Sequence, residues 1–233
     1  MTGVKAVIFD MYDTLVQNSP TLWRSTFNEI CQTQQLDLDG QTLWDTWKAK
    51  EINFREERYG PSYPFKTYEQ AWHECFTEVF REINQGDASH ATSLAMRDQG
   101  NRPLFHEVLE VITKLYNGGV IRIGLLSNAD NKALGSLIRS HGLAFHQIMS
   151  SETAQAYKPI SRAFELMLEG LQIPASECLY VGDSQHDDVL GAKLVGMRAA
   201  WVNRNNGVLN ASLPSPDYEI SDLRGLFTIL GLE

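Results

Sequence analysis

Four short stretches of this chain bring together residue types able to do chemistry. Asp10-Met11-Tyr12-Asp13-Thr14 follows the apolar run Val4–Phe9, and Ser127-Asn128 follows the apolar run that ends at Leu126. Lys158 stands in Tyr157-Lys158-Pro159, and Gly182-Asp183-Ser184 is followed closely by the acidic pair Asp187-Asp188. A carboxylate is a modest nucleophile, yet it can attack an electrophilic centre and form an intermediate that water then cleaves. Hydroxyls and an amide can hold the oxygens of a bound group, and a lysine can offset negative charge. Several carboxylates near one another supply hard oxygen ligands of the kind a small divalent cation takes.

The elements around these stretches give them a common address. Val4–Phe9 reads as a buried parallel strand, being short, β-rich and apolar throughout. After Pro103 the rhythm is helix–strand alternation. A helix over Leu104–Tyr116 stops at Gly118-Gly119, followed by a strand over Val120–Leu126 and a helix over Lys132–Ser140. A strand at Gln147–Met149, a helix at Arg162–Gly170, a strand at Leu179–Val181, a helix at Asp187–Val195 and a strand at Ala199–Val202 complete the series. That alternation predicts a mostly parallel, doubly wound Rossmann-like sheet with helices on both faces. In such sheets ligands bind beyond the carboxyl ends of the strands. Asp10, Ser127 with Asn128, and Gly182-Asp183 each directly follow a predicted strand, so they are expected to converge on one crevice.

Between Pro20 and Arg97 the pattern changes. Leu22, Phe27 and Ile30 fit one amphipathic helix, and Leu43, Trp47 and Phe54 a second. Tyr68, Trp72, Phe76, Val79, Phe80 and Ile83 fit a third, and Ser89–Arg97 a weaker fourth. Gly60-Pro61-Ser62-Tyr63-Pro64 and Gly86-Asp87 separate them. Four helices with no strand read as a small bundle inserted after the first strand. The division expected is residues 1–16 and 101–233 for the α/β core and 17–100 for a helical domain. Trp23, Trp44, Trp47 and Trp72 are expected to form that domain's core rather than a recognition surface.

Taken in order, the motifs resemble those of the haloacid dehalogenase superfamily. Phe9-Asp10-Met11-Tyr12-Asp13-Thr14-Leu15 is similar to its first motif, Leu126-Ser127-Asn128 to its second and Tyr157-Lys158-Pro159 to its third. Gly182-Asp183-Ser184 through Asp187-Asp188, with Gly191-Ala192 and Gly196-Met197, is similar to its fourth. The inserted helices resemble the family's helical (C1-type) cap. The resemblance implies a hydrolase with Asp10 as covalent nucleophile. Thr14 and Ser127 would hold substrate oxygens, Asn128 and Tyr12 would contact substrate, and Lys158 would offset charge on the nucleophile and on a bound anion. Asp10, the Tyr12 carbonyl, Asp183 and Asp188 would hold Mg²⁺, with Asp187 divided evenly between that role and a charge complementing a helix N-terminus. Arg55, in a stretch with Trp44, Tyr59 and Tyr63 similar to the dehalogenases' carboxylate-binding segment, is a candidate substrate-facing cation.

One departure bears on the reaction. Phosphatases of the superfamily carry a second Asp two residues after the nucleophile, as acid and then base; here Tyr12 stands there, as in 2-haloacid dehalogenases. Halide leaves without a proton, whereas an alkyl phosphate gains about 10²–10⁴-fold from a general acid. Against this, dehalogenases of that type carry Ser and Asn where Gly182-Asp183 and neighbours stand. They also bear a Tyr on the helix after Lys-Pro, where this chain has Phe164. The expectation is a Mg²⁺-dependent phosphatase forming a phosphoaspartate on Asp10, on a substrate with a good leaving group such as an acyl or aryl phosphate. Asp13 as a displaced acid, a metal-independent 2-haloacid dehalogenase, and a non-catalytic binding protein on the same fold stay open beside it. The structural alternatives are a strand-end turn at Asp10, a solvated loop lysine at Lys158, and simple helix capping by Ser127-Asn128. His186 is read as an exposed residue in the first turn of its helix.

Composition bounds the partners. The formal net charge of -9 over 233 residues provides no basic field for nucleic acid or an anionic membrane, while leaving room for a small anionic substrate at a local positive site. At 43% hydrophobic residues a sizeable core can be buried. Three scattered cysteines, Cys31, Cys75 and Cys178, with no secretory signal, are expected to be reduced thiols of a cytoplasmic protein.

Overall fold

The computed structural model describes residues 3–60 and 64–232, so Pro61, Ser62 and Tyr63 of the break expected after the second helix lie outside the described residues. In chain order the elements are β1 (Ala6–Phe9), α1 (Pro20–Gln34), α2 (Gly40–Glu57), α3 (Tyr68–Ile83), α4 (Ala88–Gln99), α5 (Val108–Gly118), β2 (Arg122–Ser127), α6 (Asn131–Ser140) and β3 (Gln147–Ser150). Then follow α7 (Ser151–Ala154), α8 (Ser161–Leu171), β4 (Cys178–Gly182), a π-helical turn over Gln185–Leu190, α9 (Gly191–Leu194), β5 (Arg198–Val202), β6 (Tyr218–Ile220) and α10 (Gly225–Leu230). They divide into two compact units. One comprises residues 1–17, 103–128 and 138–233; the other, residues 18–102 with 129–137.

The first unit is a six-stranded sheet in the order β3-β2-β1-β4-β5-β6, parallel throughout. Its order reverses at β1, whose four residues Ala-Val-Ile-Phe are all buried, as a central parallel strand requires. Phe9 lies opposite both Leu125 and Val181, so β1, β2 and β4 end at the same edge. Asp10, Ser127 and Asp183 therefore leave the sheet side by side at a topological switch point. One sheet face, with Ile8, Leu126, Tyr180 and Trp201, packs on Phe164, Met167 and Leu171 of α8 and on Ala192 of α9.

Two predicted helices differ in detail. α5 begins at Val108 rather than Leu104, because residues 104 and 105 pair with the segment after Asp10: Phe105 N–H donates to the Leu15 carbonyl, and Leu104 bridges Val16. Its C-terminal stop is the expected one, at Gly119 with φ +66°. The helix expected over Asp187–Val195 is a π turn followed by one α turn. The extra residue in the turn accompanies the inward rotation of Asp188, which is buried.

The second unit is built from helices with distinct start signals. Ser19 caps α1 with Pro20 at its first position, Asp39 caps α2, and Thr67 with Gln70 forms a capping box on α3. Helix α2 packs on α1 and α3, and α4 on α3 and α1. Trp23, Trp47, Trp72, Phe27 and Phe76 form the aromatic core, with Trp44 at its margin, as expected. Residues 129–137, read from sequence as part of the core, group with these helices. The physical tie is Asp130, whose buried carboxylate accepts the N–H groups of Tyr68 (2.8 Å) and Glu69 (2.7 Å) at the start of α3. Among the described residues no helix is long and apolar enough to cross a membrane, and the three cysteines are buried without disulfides.

Candidate active site

At the carboxyl edge of the sheet, Lys158 is the organising group. Its side chain is 2% exposed, and its ammonium donates to Asp10 Oδ1 (2.7 Å), Asp188 Oδ1 (2.6 Å) and the Tyr180 hydroxyl (2.7 Å). The lysine lies in a turn but is buried and paired, not solvated. Its backbone is gripped by Asn128, whose Oδ1 accepts the Lys158 N–H (2.8 Å) and whose Nδ2 donates to the Lys158 carbonyl (3.1 Å). Asn128 therefore spends its amide on the lysine segment rather than on capping α6.

The acids arrange themselves around that ammonium. Asp10, Asp183 and Asp188 each offer a carboxylate oxygen, and these oxygens lie within 4.8 Å of one another. Burial drives the Asp10 pKa up to about 6; the Lys158 charge lowers it and the Asp188 charge raises it. Asp183, partly buried, receives a hydrogen bond from Thr14 Oγ1 (3.3 Å). Burial, with the charges of Asp188, Asp10 and Asp13, pushes its carboxyl well above the usual range against the pull of Lys158. Three hard oxygen donors in this over-acidic setting fit a divalent cation such as Mg²⁺.

Asp187 stands apart. Its carboxylate takes a hydrogen bond from Asn128 Nδ2 (3.1 Å) and pairs with exposed His186 (2.8 Å), and its N–H donates to Ser184 Oγ. Of the two adjacent acids, Asp188 alone enters the cluster. Its second oxygen accepts the Ser184 N–H (2.9 Å). Gly182 makes room for it, since a Cβ there would collide with the Asp188 carboxylate.

Ser127 completes the edge: its Oγ is buried and has no hydrogen-bond partner. A buried orphan hydroxyl costs stability unless a ligand answers it. The turn after β1 places Thr14 by a tight fold in which Asp13 adopts φ +57° and Leu15 and Val16 donate back to the Met11 carbonyl. Tyr12 forms a backbone bridge to Val16 and is half-buried.

Arg55 belongs to the helical unit, where it pairs with buried Glu51 one turn earlier; Lys48 holds the other Glu51 oxygen at 2.7 Å. Nearby, Arg58 is the more deeply buried cation, with its guanidinium against the rings and hydroxyls of Tyr59 and Tyr68. Nothing in the sequence singles out Tyr180, Arg58 or Arg204. The first lies inside a strand whose apolar pattern hides it, and the two arginines carry no motif.

A family model described as haloacid dehalogenase-like hydrolase matches residues 4–196. The chain belongs to that family. The non-catalytic reading falls away with this membership: the chain is a hydrolase. Among relatives of this haloacid dehalogenase-like hydrolase, the (S)-2-haloacid dehalogenase of Pseudomonas sp. (strain YL) is 24% identical over 97% of this chain and 94% of its own. The phosphoserine phosphatase of Thermus thermophilus is 28% identical over 96% and 98%. The fold matches the crystal structure of the L-2-haloacid dehalogenase RSc1362 with a TM-score of 0.79 and 24% identity, over 98% and 99% of the two chains.

Proposed function

We propose that this hydrolase is a Mg²⁺-dependent phosphohydrolase acting on a small phosphorylated substrate with a good leaving group, an acyl or aryl phosphate, by way of a phosphoaspartate on Asp10. The observation that carries this reading is Asp183. A carboxylate whose oxygen lies within 4.8 Å of those of Asp10 and Asp188 is costly unless a cation shares the site. Asp10, Asp183 and Asp188, with the Tyr12 carbonyl, would hold Mg²⁺. The ion supplies Lewis-acid stabilisation that lets carboxylates approach a phosphate. Asp187 serves as a brace for Asn128.

The chain's own groups then divide the work. The Asp10 oxygen attacks phosphorus as the bond to the leaving oxygen breaks; with an acyl phosphate the acyl group and that oxygen depart as a carboxylate, which takes no proton. That suits a site with Tyr12 where related phosphatases have an acid. Ser127 Oγ–H and Thr14 hold phosphoryl oxygens, and Lys158 offsets charge on Asp10 and the bound anion. Water next attacks phosphorus, orthophosphate leaves, the aspartyl oxygen regains its electron pair, and one proton passes to solvent.

Phosphate release from acetyl phosphate by wild type and Asp10→Asn, each with excess Mg²⁺ or chelator, tests this. Release requiring both Asp10 and Mg²⁺ is expected; equal release by Asp10→Asn would sink it. A 2-haloacid dehalogenase is the second reading. Lys158 favours it, because its one ammonium pairs with both Asp10 and Asp188 and offsets their charge. Halide release from short 2-halo acids in the presence of chelator would decide for it.

A further inference from the structure

We infer that Tyr180 is a positioning residue for this reaction: its hydroxyl fixes the Lys158 ammonium between Asp10 and Asp188. The inference rests on Asp10 as nucleophile and holds whichever leaving group it displaces.

An ammonium carries three N–H donors in a fixed tetrahedral spread. Those of Lys158 have three acceptors, at 2.6–2.7 Å, and Tyr180 is the neutral one. To accept from Lys158, the phenol must send its own proton elsewhere. It donates to the Leu126 carbonyl at 2.8 Å, next to Ser127. The direction of the chain is thereby set: Lys158 to Tyr180 to Leu126, with a phenol lone pair turned toward the ammonium. Burial pushes the Tyr180 pKa well up, more than the Lys158 charge lowers it, so the hydroxyl keeps its proton.

The ring is held as firmly as its hydroxyl. Tyr180 is wholly buried in β4, and Phe164 of α8 packs against it with centroids 5.2 Å apart. Tyr180 shares its buried cluster with Ile8, Leu126 and Phe164, whose side chains offer no acceptor. Without the phenol oxygen, the third N–H loses its acceptor. The ammonium must then tilt, and the Asp10–Lys158–Asp188 geometry changes with it. The Tyr180 hydroxyl bonds Lys158 and Leu126 and makes no hydrogen bond to the Ser127 hydroxyl, so its loss is expected to be felt in the chemical step more than in substrate binding.

Tyr180→Phe keeps the ring and its packing and removes one oxygen. In protein labelled with ¹⁵N-lysine, wild type is expected to show a sharp, slowly exchanging ammonium resonance, assigned to Lys158 by its loss in Lys158→Met. In Tyr180→Phe that resonance broadens or disappears. With acetyl phosphate, kcat falls about 10–100-fold, the worth of a hydrogen bond to a charged group, while KM stays within about twofold. An unchanged resonance with unchanged kcat overturns the proposal. So does the absence of a protected Lys158 resonance in wild type, which needs no variant to fold. If no phosphate compound is turned over by wild type, the phosphohydrolase reading fails, and the resonance comparison alone still decides the role of Tyr180.

Discussion

Arg204 donates a hydrogen bond from Nη2 to the main-chain carbonyl of Thr14 at 2.8 Å, joining the loop after β5 to the turn that carries the nucleophile. The same guanidinium pairs with Glu107 at 2.6 Å and lies 3.7 Å from the centre of the Phe105 ring. Glu107 is wholly buried. The turn is thus clamped from outside the reacting groups by a buried ion pair.

Removing one partner of that pair strands the other. Arg204→Met is expected to cost about 3–5 kcal/mol in urea unfolding, because Glu107 is left charged and buried. Arg204→Met combined with Glu107→Leu should recover much of the loss. A double variant no more stable than the single would show that the charge is not the cause.

The pair also has a pH signature. Burial pushes the Glu107 carboxyl up, but its own backbone N–H and Arg204 outweigh this and hold its pKa below the usual 4.5. A folded pKa below the unfolded one means the group stabilises fully above about pH 4.5 and loses that contribution as pH falls through the folded value. The stability difference between wild type and Glu107→Gln should therefore shrink on acidification. A constant difference down to about pH 3 would contradict it.

Gly182 is needed for space. A methyl group there meets the Asp188 carboxylate, so Gly182→Ala should displace Asp188 from Lys158. The expected cost is about 1–3 kcal/mol by overpacking, with kcat falling more than stability accounts for. Full activity in Gly182→Ala would mean that the position of Asp188 does not matter to turnover.

Tyr12→Asp puts a proton donor where related phosphatases have one. Turnover of alkyl phosphates should rise relative to acetyl phosphate, by up to about 10²–10⁴-fold. An unchanged ratio would place the limit on alkyl substrates somewhere other than the leaving group.

Mg²⁺ should raise the thermal stability of wild type, by about 2.7 kcal/mol at a hundredfold excess over Kd, and have little effect on Asp183→Asn. Equal stabilisation of both proteins would show that Asp183 is not a ligand.

From sequence alone came the parallel sheet, the inserted helices and the convergence of Asp10, Ser127 and Asp183. These follow from local pattern: apolar runs of strand length, helical periodicity, and polar residues placed just beyond each strand. Parallel strands entering one sheet must end on one edge, so chemistry written at their ends must meet. What the pattern left undecided depends on a residue or two of register. Asp187 and Asp188 are adjacent and chemically alike; the π turn and the bare backbone at Gly182 send Asp188 inward to Lys158 and leave Asp187 on Asn128. Tyr180 looks like any aromatic in a buried strand until its hydroxyl is found between Lys158 and Leu126. Arg204 and Thr14 are 190 residues apart. Side-chain partners across that distance are chosen by packing in three dimensions, which no local run of residues encodes.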